Sequence, residues 1–192
     1  MTTVVVVRKG GTAVIAADDL TTFGDTKLGP GYSTESKLFR LGDSVIGMAG
    51  DAASFLAFRG ALEALPPGKR DLHTRDGIFA ALLRVHPKMK DDYFLVTKEE
   101  DDDPYESSQL TALIANPRGI FGVFSYREVH EYQRFWAIGS GREFALGAMY
   151  ASYDQIDSAQ AIAELGVRAG CEFDTHSGGP VSAHAVKLKT KG

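Results

Sequence analysis

The chain has 192 residues, 44% of them hydrophobic and 24% charged, with a formal net charge of −4. That length can bury a large core without disulfides or metals and reads as a single domain over 1–192. The acidic balance excludes a general nucleic-acid or membrane-surface binder, no apolar run is long enough to span a bilayer, and a lone cysteine excludes an intrachain disulfide. Cys171 reads as a small buried hydrophobe. With no signal-peptide layout at Met1–Arg8, the expected compartment is the cytoplasm.

Val4–Val7 is continuous and β-branched, the pattern of a buried strand. Lys9-Gly10-Gly11 is a turn and Ala13–Ala17 a second strand, so the chain opens with a hairpin. Thr21–Thr34 is polar and glycine-rich and reads as an excursion loop. Lys37–Arg40 and Ser44–Met48 are two short strands. Asp51 is placed to cap a helix carrying Phe55, Leu56 and Leu62, which ends before Pro66-Pro67. Thr74 caps a second helix with Ile78, Leu82 and Val85 on one face, ended by Pro87. Tyr93–Thr97, Leu110–Ala115, Ile120–Phe124 and Trp136–Ile138 read as strands. A helix follows Gly139-Ser140-Gly141, another follows Ser158, and Val181–Leu188 is a closing strand. Strands and helix pairs in runs, rather than in strict alternation, imply an α+β fold with two antiparallel sheets and helix pairs outside.

No Gly-x-Ser-x-Gly elbow, His-Glu-x-x-His motif or phosphate loop is present, and the five histidines are scattered. What remains is Thr2. A hydroxyl needs an adjacent base, and a free α-amine, with a pKa of about 8, is one carried on the same residue. Removal of Met1 would expose that amine at the head of a buried strand. By itself Met-Thr is a weak signal, since many chains begin so.

Four further segments occur in order. Thr2-Thr3-Val4-Val5 with Ile15-Ala16-Ala17-Asp18 and Lys37, then Val45-Ile46-Gly47-Met48-Ala49-Gly50, then Ile138-Gly139-Ser140-Gly141, then Asp174-Thr175-His176-Ser177-Gly178-Gly179 resemble the proteasome β subunits and the bacterial HslV peptidase from end to end. Within that family the short start resembles the betaproteobacteria proteasome homologue group, BPH. The resemblance implies the four-layer αββα sandwich of N-terminal nucleophile (Ntn) hydrolases. It implies a threonine endopeptidase working through an acyl-enzyme on Thr2, inside a homo-oligomeric double ring of stacked rings.

The resemblance also assigns roles. Thr2 supplies hydroxyl and amine; Lys37 lies beside the hydroxyl and eases loss of its proton; Asp18 holds Lys37. Ser140, Asp174 and Ser177 surround the amine and relay its proton, and the Gly50 N–H is the oxyanion donor. A substrate strand would meet Thr22, Gly50 and Ala52, and the pocket before the scissile bond would be lined by Thr21, Glu35, Phe39, Met48 and Ala52. Leu20 departs from the pattern, standing where eukaryotic β subunits commonly carry arginine. No cofactor is required; a structural Na or Mg ion on main-chain carbonyls of Gly170, Phe173 and His176 is a family feature. Expected partners are unfolded polypeptides or peptides and an AAA+ unfoldase, with no nucleic acid and no membrane. The acidic loop 99–106 reads either as a solvated loop or as an acidic lining of the inner chamber. Each residue also has a plain reading: Asp18 as a turn acid, Lys37 as a strand end, Ser140 as a helix cap, Ser177 as part of a turn, Phe39 and Met48 as core. Two other functions stay open, an Ntn amidohydrolase on small amides and a non-catalytic ring or scaffold subunit if Met1 is retained.

Overall fold

The computed structural model describes residues 2–28, 31–32, 36–98, 100 and 102–189. In chain order the elements are β1 (Thr3–Lys9), β2 (Thr12–Asp18), β3 (Thr21–Phe23), β4 (Thr26–Leu28), β5 (Leu38–Leu41), β6 (Ser44–Ala49), α1 (Ala52–Glu63), a 3-10 turn at Pro67–Lys69, α2 (Arg75–Asp92), β7 (Thr111–Asn116), β8 (Gly119–Val123), β9 (Val129–Tyr132), β10 (Phe135–Gly139), α3 (Arg142–Ser152), α4 (Ala159–Phe173) and β11 (Val181–Lys187). One antiparallel sheet has the order β10-β1-β2-β11, the other β5-β6-β7-β8-β9, and β3-β4 is a separate hairpin. The fold is α+β, four layers deep: α1 and α2, five strands, four strands, α3 and α4.

The run Val4–Val7 explains the layering. Side chains alternate across a strand, so Val4 and Val6 enter the cluster between the sheets, with Ile15, Leu38, Val45 and Leu113. Val5 and Val7 enter the cluster under α3 and α4, with Val14, Met149, Ile162 and Val167. Both faces are covered, so no polar alternation is tolerated, and each fully buried valine contributes about 1.5–3 kcal/mol of transfer free energy. The β1–β2 turn closes on Gly10 and Gly11, with φ of 57° and 76°. Positive φ at both central residues is what a tight hairpin with the strands' own twist requires. On the other side, Ile46, Met48, Ile114 and Phe121 pack beneath Phe58, Leu62, Ile78 and Val85 of α1 and α2.

Five points of the expected fold need correction. Tyr93–Thr97 is not a strand. Phe94 has φ of 59° and the Leu95 amide bonds the Met89 carbonyl, so the segment folds back on the end of α2 and finds no strand to pair with. Pro87 does not end α2, which continues to Asp92. Pro87 and Leu83, the residue whose carbonyl it leaves unbonded, are solvent-facing, and buried Met89 anchors the turn beyond. Asp51 occupies the N-cap of α1, but its side chain makes no capping bond. The excursion loop contains the β3–β4 hairpin, and Val129–Tyr132 is an edge strand whose exposed His130 and Glu131 hid it from pattern reading.

Gly47 sets how closely the two sheets approach. A Cβ there would sit 2.7 Å from both Leu38 Cδ2 and Val4 Cγ1, and 3.2 Å from Ile15 Cδ1. Gly47→Val should destabilise the chain by about 1–3 kcal/mol through overpacking. Urea denaturation reads this directly; an unchanged midpoint would mean that the sheets part without cost.

Candidate active site

Antiparallel pairing brings the start of β1, the ends of β2, β6 and β10, and the approaches to β5 and β11 to one end of the sandwich. Thr2, Asp18, Lys37, Gly50, Ser140 and Ser177 all sit on these chain ends, although 175 positions of sequence separate the first from the last.

Asp18 is the centre of the arrangement. Its side chain is fully buried and receives five donors. The Thr2 hydroxyl and the Thr3 amide (2.7 Å) donate to Oδ1. The Lys37 ammonium (2.8 Å), the Gly178 amide (3.0 Å) and the Leu20 amide (3.2 Å) donate to Oδ2. A buried carboxylate is tolerated only when paired and hydrogen-bonded, and Asp18 meets both conditions. Thr2 and Lys37 therefore meet on opposite oxygens of one carboxylate; no direct hydrogen bond joins them among the described residues. Leu20 contributes through its main chain, and its side chain packs against Gly178.

A second network lies behind Thr3. Ser140 and Ser177 each donate to Asp174 Oδ2 at 2.6 Å, and the Thr3 and Ser177 hydroxyls are 2.7 Å apart. Ser177 has one hydroxyl proton, and it goes to Asp174. Thr3 must then be the donor to Ser177, so the chain runs from Thr3 through Ser177 to Asp174, with Ser140 on the far side. Burial works against ionisation of Asp174, but the bonds from Ser140 and Ser177 outweigh it and hold the carboxyl below its ordinary range. Thr3, which the motif reading passed over, is the side chain that ties this network to β1. The signal for it was alternation: Thr3 shares the Val5 and Val7 face, towards α3 and α4.

Glycines let the walls close in. Gly139 has φ of 92°, and a Cβ there would lie 1.9 Å from the Thr2 carbonyl oxygen. At Gly141 and Gly170 a Cβ would fall 2.0 and 2.3 Å from Thr3 Oγ1. Gly50, at the mouth of α1, has φ of 130°, and its N–H has no hydrogen-bond acceptor among the described residues. Cys171 of α4 is close enough to feel Asp18 and Lys37. Burial, then the Asp18 charge, push its thiol up to about 11, so it stays protonated and does not compete with Thr2 as a nucleophile.

The remaining expected residues are more scattered in kind. Thr21 and Thr22 lie on β3, partly buried, and Ala52 is the exposed first residue of α1. Phe39 and Met48 belong to the core cluster beneath α1 and α2, where Phe39 meets Phe55 edge-on at 5.3 Å. Glu35 and Met1 fall outside the described residues, as do Glu99 and Asp101 of the acidic loop. Within that loop Glu106 is bound by Lys90 and by His86, which hold its carboxyl down to about 2. The Gly170 carbonyl already accepts the Asp174 amide at 2.8 Å, Phe173 is largely exposed, and His176 leans on Thr175. Among the described residues no helix is long and apolar enough to cross a membrane.

No protein-family model matches the chain. The structure is similar to Thiobacillus denitrificans BPH, with a TM-score of 0.89 and 41% identity covering 98% of this chain and 99% of that one. It is equally similar to Thiobacillus denitrificans BPH in complex with epoxomicin, with a TM-score of 0.88 and 40% identity over 97% and 99% of the two chains. Eukaryotic HslV from Trypanosoma brucei shares the fold at a TM-score of 0.72 and 24% identity, over 96% of this chain and 99% of that one. Identity of this size over nearly the whole length, on an αββα sandwich with a threonine at the head of its central strand, places the chain in the proteasome β-subunit and HslV-type family of Ntn hydrolases, in the BPH group.

Proposed function

We propose that the chain is a threonine endopeptidase subunit that cuts peptide bonds through an acyl-enzyme ester on Thr2, with its sites facing the inside of a homo-oligomeric double ring. The observation that carries this reading is the convergence of Thr2, Thr3 and Lys37 on the buried Asp18 carboxylate. A plain solvent-facing start would need none of it. A relative about 40% identical is described in complex with epoxomicin, which makes the same compound a suitable probe here.

In the proposed reaction Met1 is first removed. The Thr2 Oγ1 proton passes to the free α-amine as Oγ1 attacks the substrate carbonyl carbon. The carbonyl oxygen becomes an oxyanion facing the Gly50 N–H, a donor of a kind often worth about 3 kcal/mol of barrier. The C–N bond breaks, the leaving amine takes the proton, and water then cleaves the ester and restores the hydroxyl. Lys37 supplies fixed positive charge beside the nucleophile, and Asp18 fixes the positions of both. The polarity of the Thr3–Ser177–Asp174 chain keeps the acceptor end of the network on Asp174, away from Thr2. Peptide adds as an antiparallel strand along Thr22, Gly50 and Ala52, and Met48 and Phe39 form an apolar floor beneath the side chain before the scissile bond. The chemistry uses no cofactor. Enclosure in a ring, supply of unfolded chains by an AAA+ unfoldase and a cytoplasmic setting complete the proposal.

Hydrolysis of a fluorogenic peptide tests it. Thr2→Ala should lower kcat/KM at least ~10³-fold, as loss of a nucleophile does, while Thr2→Ser retains measurable turnover. Wild-type rates in Thr2→Ala would refute the mechanism, and turnover of small amides but not peptides would redirect it to an amidohydrolase.

Asp174 gives a second test with a defined sign. Its folded-state pKa is depressed, so its contribution to stability is complete above the ordinary carboxylate range and is lost as pH falls through the lowered value. Asp174→Asn should flatten the acid limb of the stability curve and, by loosening the Ser177–Thr3 chain that holds β1 behind Thr2, lower kcat at neutral pH. An unaltered acid limb with unaltered kcat would remove Asp174 from the account.

A further inference from the structure

The end of the sandwich opposite Thr2 carries a cavity of about 790 Å³. β1 spans the distance between them, from Thr2 to Arg8, ~20 Å at strand rise. The volume lies within the range of small-molecule sites. Its charge is one-sided. Arg8 from the end of β1, Arg75 from the first turn of α2, Arg118 from the β7–β8 turn and Lys189 after β11 line it, against a single lining carboxylate among the described residues, Glu131.

None of these four cations forms an ion pair among the described residues. Other charges nearby are engaged. His73, also in the lining, is bracketed by Asp71 (2.8 Å) and Asp43 (2.6 Å), and the Arg118 charge reaches Asp71 without a direct ion pair. The Lys9 ammonium turns away to the carbonyls of Tyr153 and Ile156. Arg75 gives its Nε to the Val129 carbonyl at 3.0 Å and keeps its other donors. Arg8 is only partly satisfied: its Nη1 is buried and has no hydrogen-bond partner among the described residues, while the rest of the side chain lines the cavity.

We propose that this cavity binds a small phosphate-bearing polyanion, at a site separate from the peptide-cutting end. Guanidinium forks match phosphate oxygens in pairs. Cations on four separate elements, spread around a cavity of this size, suit two or more phosphate groups better than one. A ligand here joins the β1–β2 turn to the start of α2 and to the β7–β8 turn, and so spans both sheets.

Isothermal titration of the full chain with inorganic pyrophosphate, at about 0.15 M salt where diffuse surface charge is screened beyond about 8 Å, tests the proposal. One saturable site per chain is expected. The exposed pair Arg118→Glu with Lys189→Glu should weaken binding at least tenfold. Arg84→Glu with Arg168→Glu, an equal change of charge elsewhere, should leave it within twofold. Absence of saturable binding, equal weakening by both pairs, or citrate binding as tightly as pyrophosphate would overturn it.

Discussion

A carboxylate with no access to water organises this molecule. Asp18 stands at the end of β2, fully buried, where an ionised group is stable only if nearly every lone pair is met. The donors that meet it come from the head of β1, from Leu20 just beyond β2, from the approach to β5 and from the turn before β11. Each segment must arrive at the right place for the charge to be tolerated. The same convergence positions a threonine hydroxyl, an ammonium and a strand terminus within one small volume. Folding and the assembly of the site are in this sense one event, and removing any of the donors leaves part of a charge unanswered in the interior.

The layers serve that point. β1 is covered on both faces, so the segment following Thr2 is as rigid as any in the chain. Thr2 inherits a fixed direction from a strand whose next five residues are fully buried. The glycines at 139, 141 and 170 bring β10, α3 and α4 against Thr2 and Thr3 at distances that a methyl group would forbid. An attacking group held this way starts close to its working geometry, which is where much of the advantage of an intramolecular reaction arises.

Much of this was legible in the residues. Val4–Val7 declared a strand buried on both sides, the order of strands and helix pairs declared an α+β fold, and four spaced motifs marked Thr2, Asp18, Lys37, Ser140 and Ser177 as companions. What was hidden has physical causes. Leu20 and Gly178 act through main-chain amides, which their side chains do not announce. Thr3 looked like a repeat of Thr2 until the period of a strand put it on the other face. Tyr93–Thr97 has the aromatic and β-branched composition of a strand but folds back on α2, and Pro87 is accommodated because the bond it removes faces water. The cation cluster at the far end could not be read because Arg8, Arg75, Arg118 and Lys189 are brought together only by the closed sandwich.

The central claim is that Thr2, once it is the first residue, is the nucleophile. Intact mass spectrometry of the purified protein before and after incubation with epoxomicin addresses it directly, because the epoxyketone group requires both the hydroxyl and the free amine of an N-terminal threonine. The account predicts a chain lacking Met1 that gains one adduct per subunit, mapped to Thr2. A chain that retains Met1 and gains no adduct would contradict it.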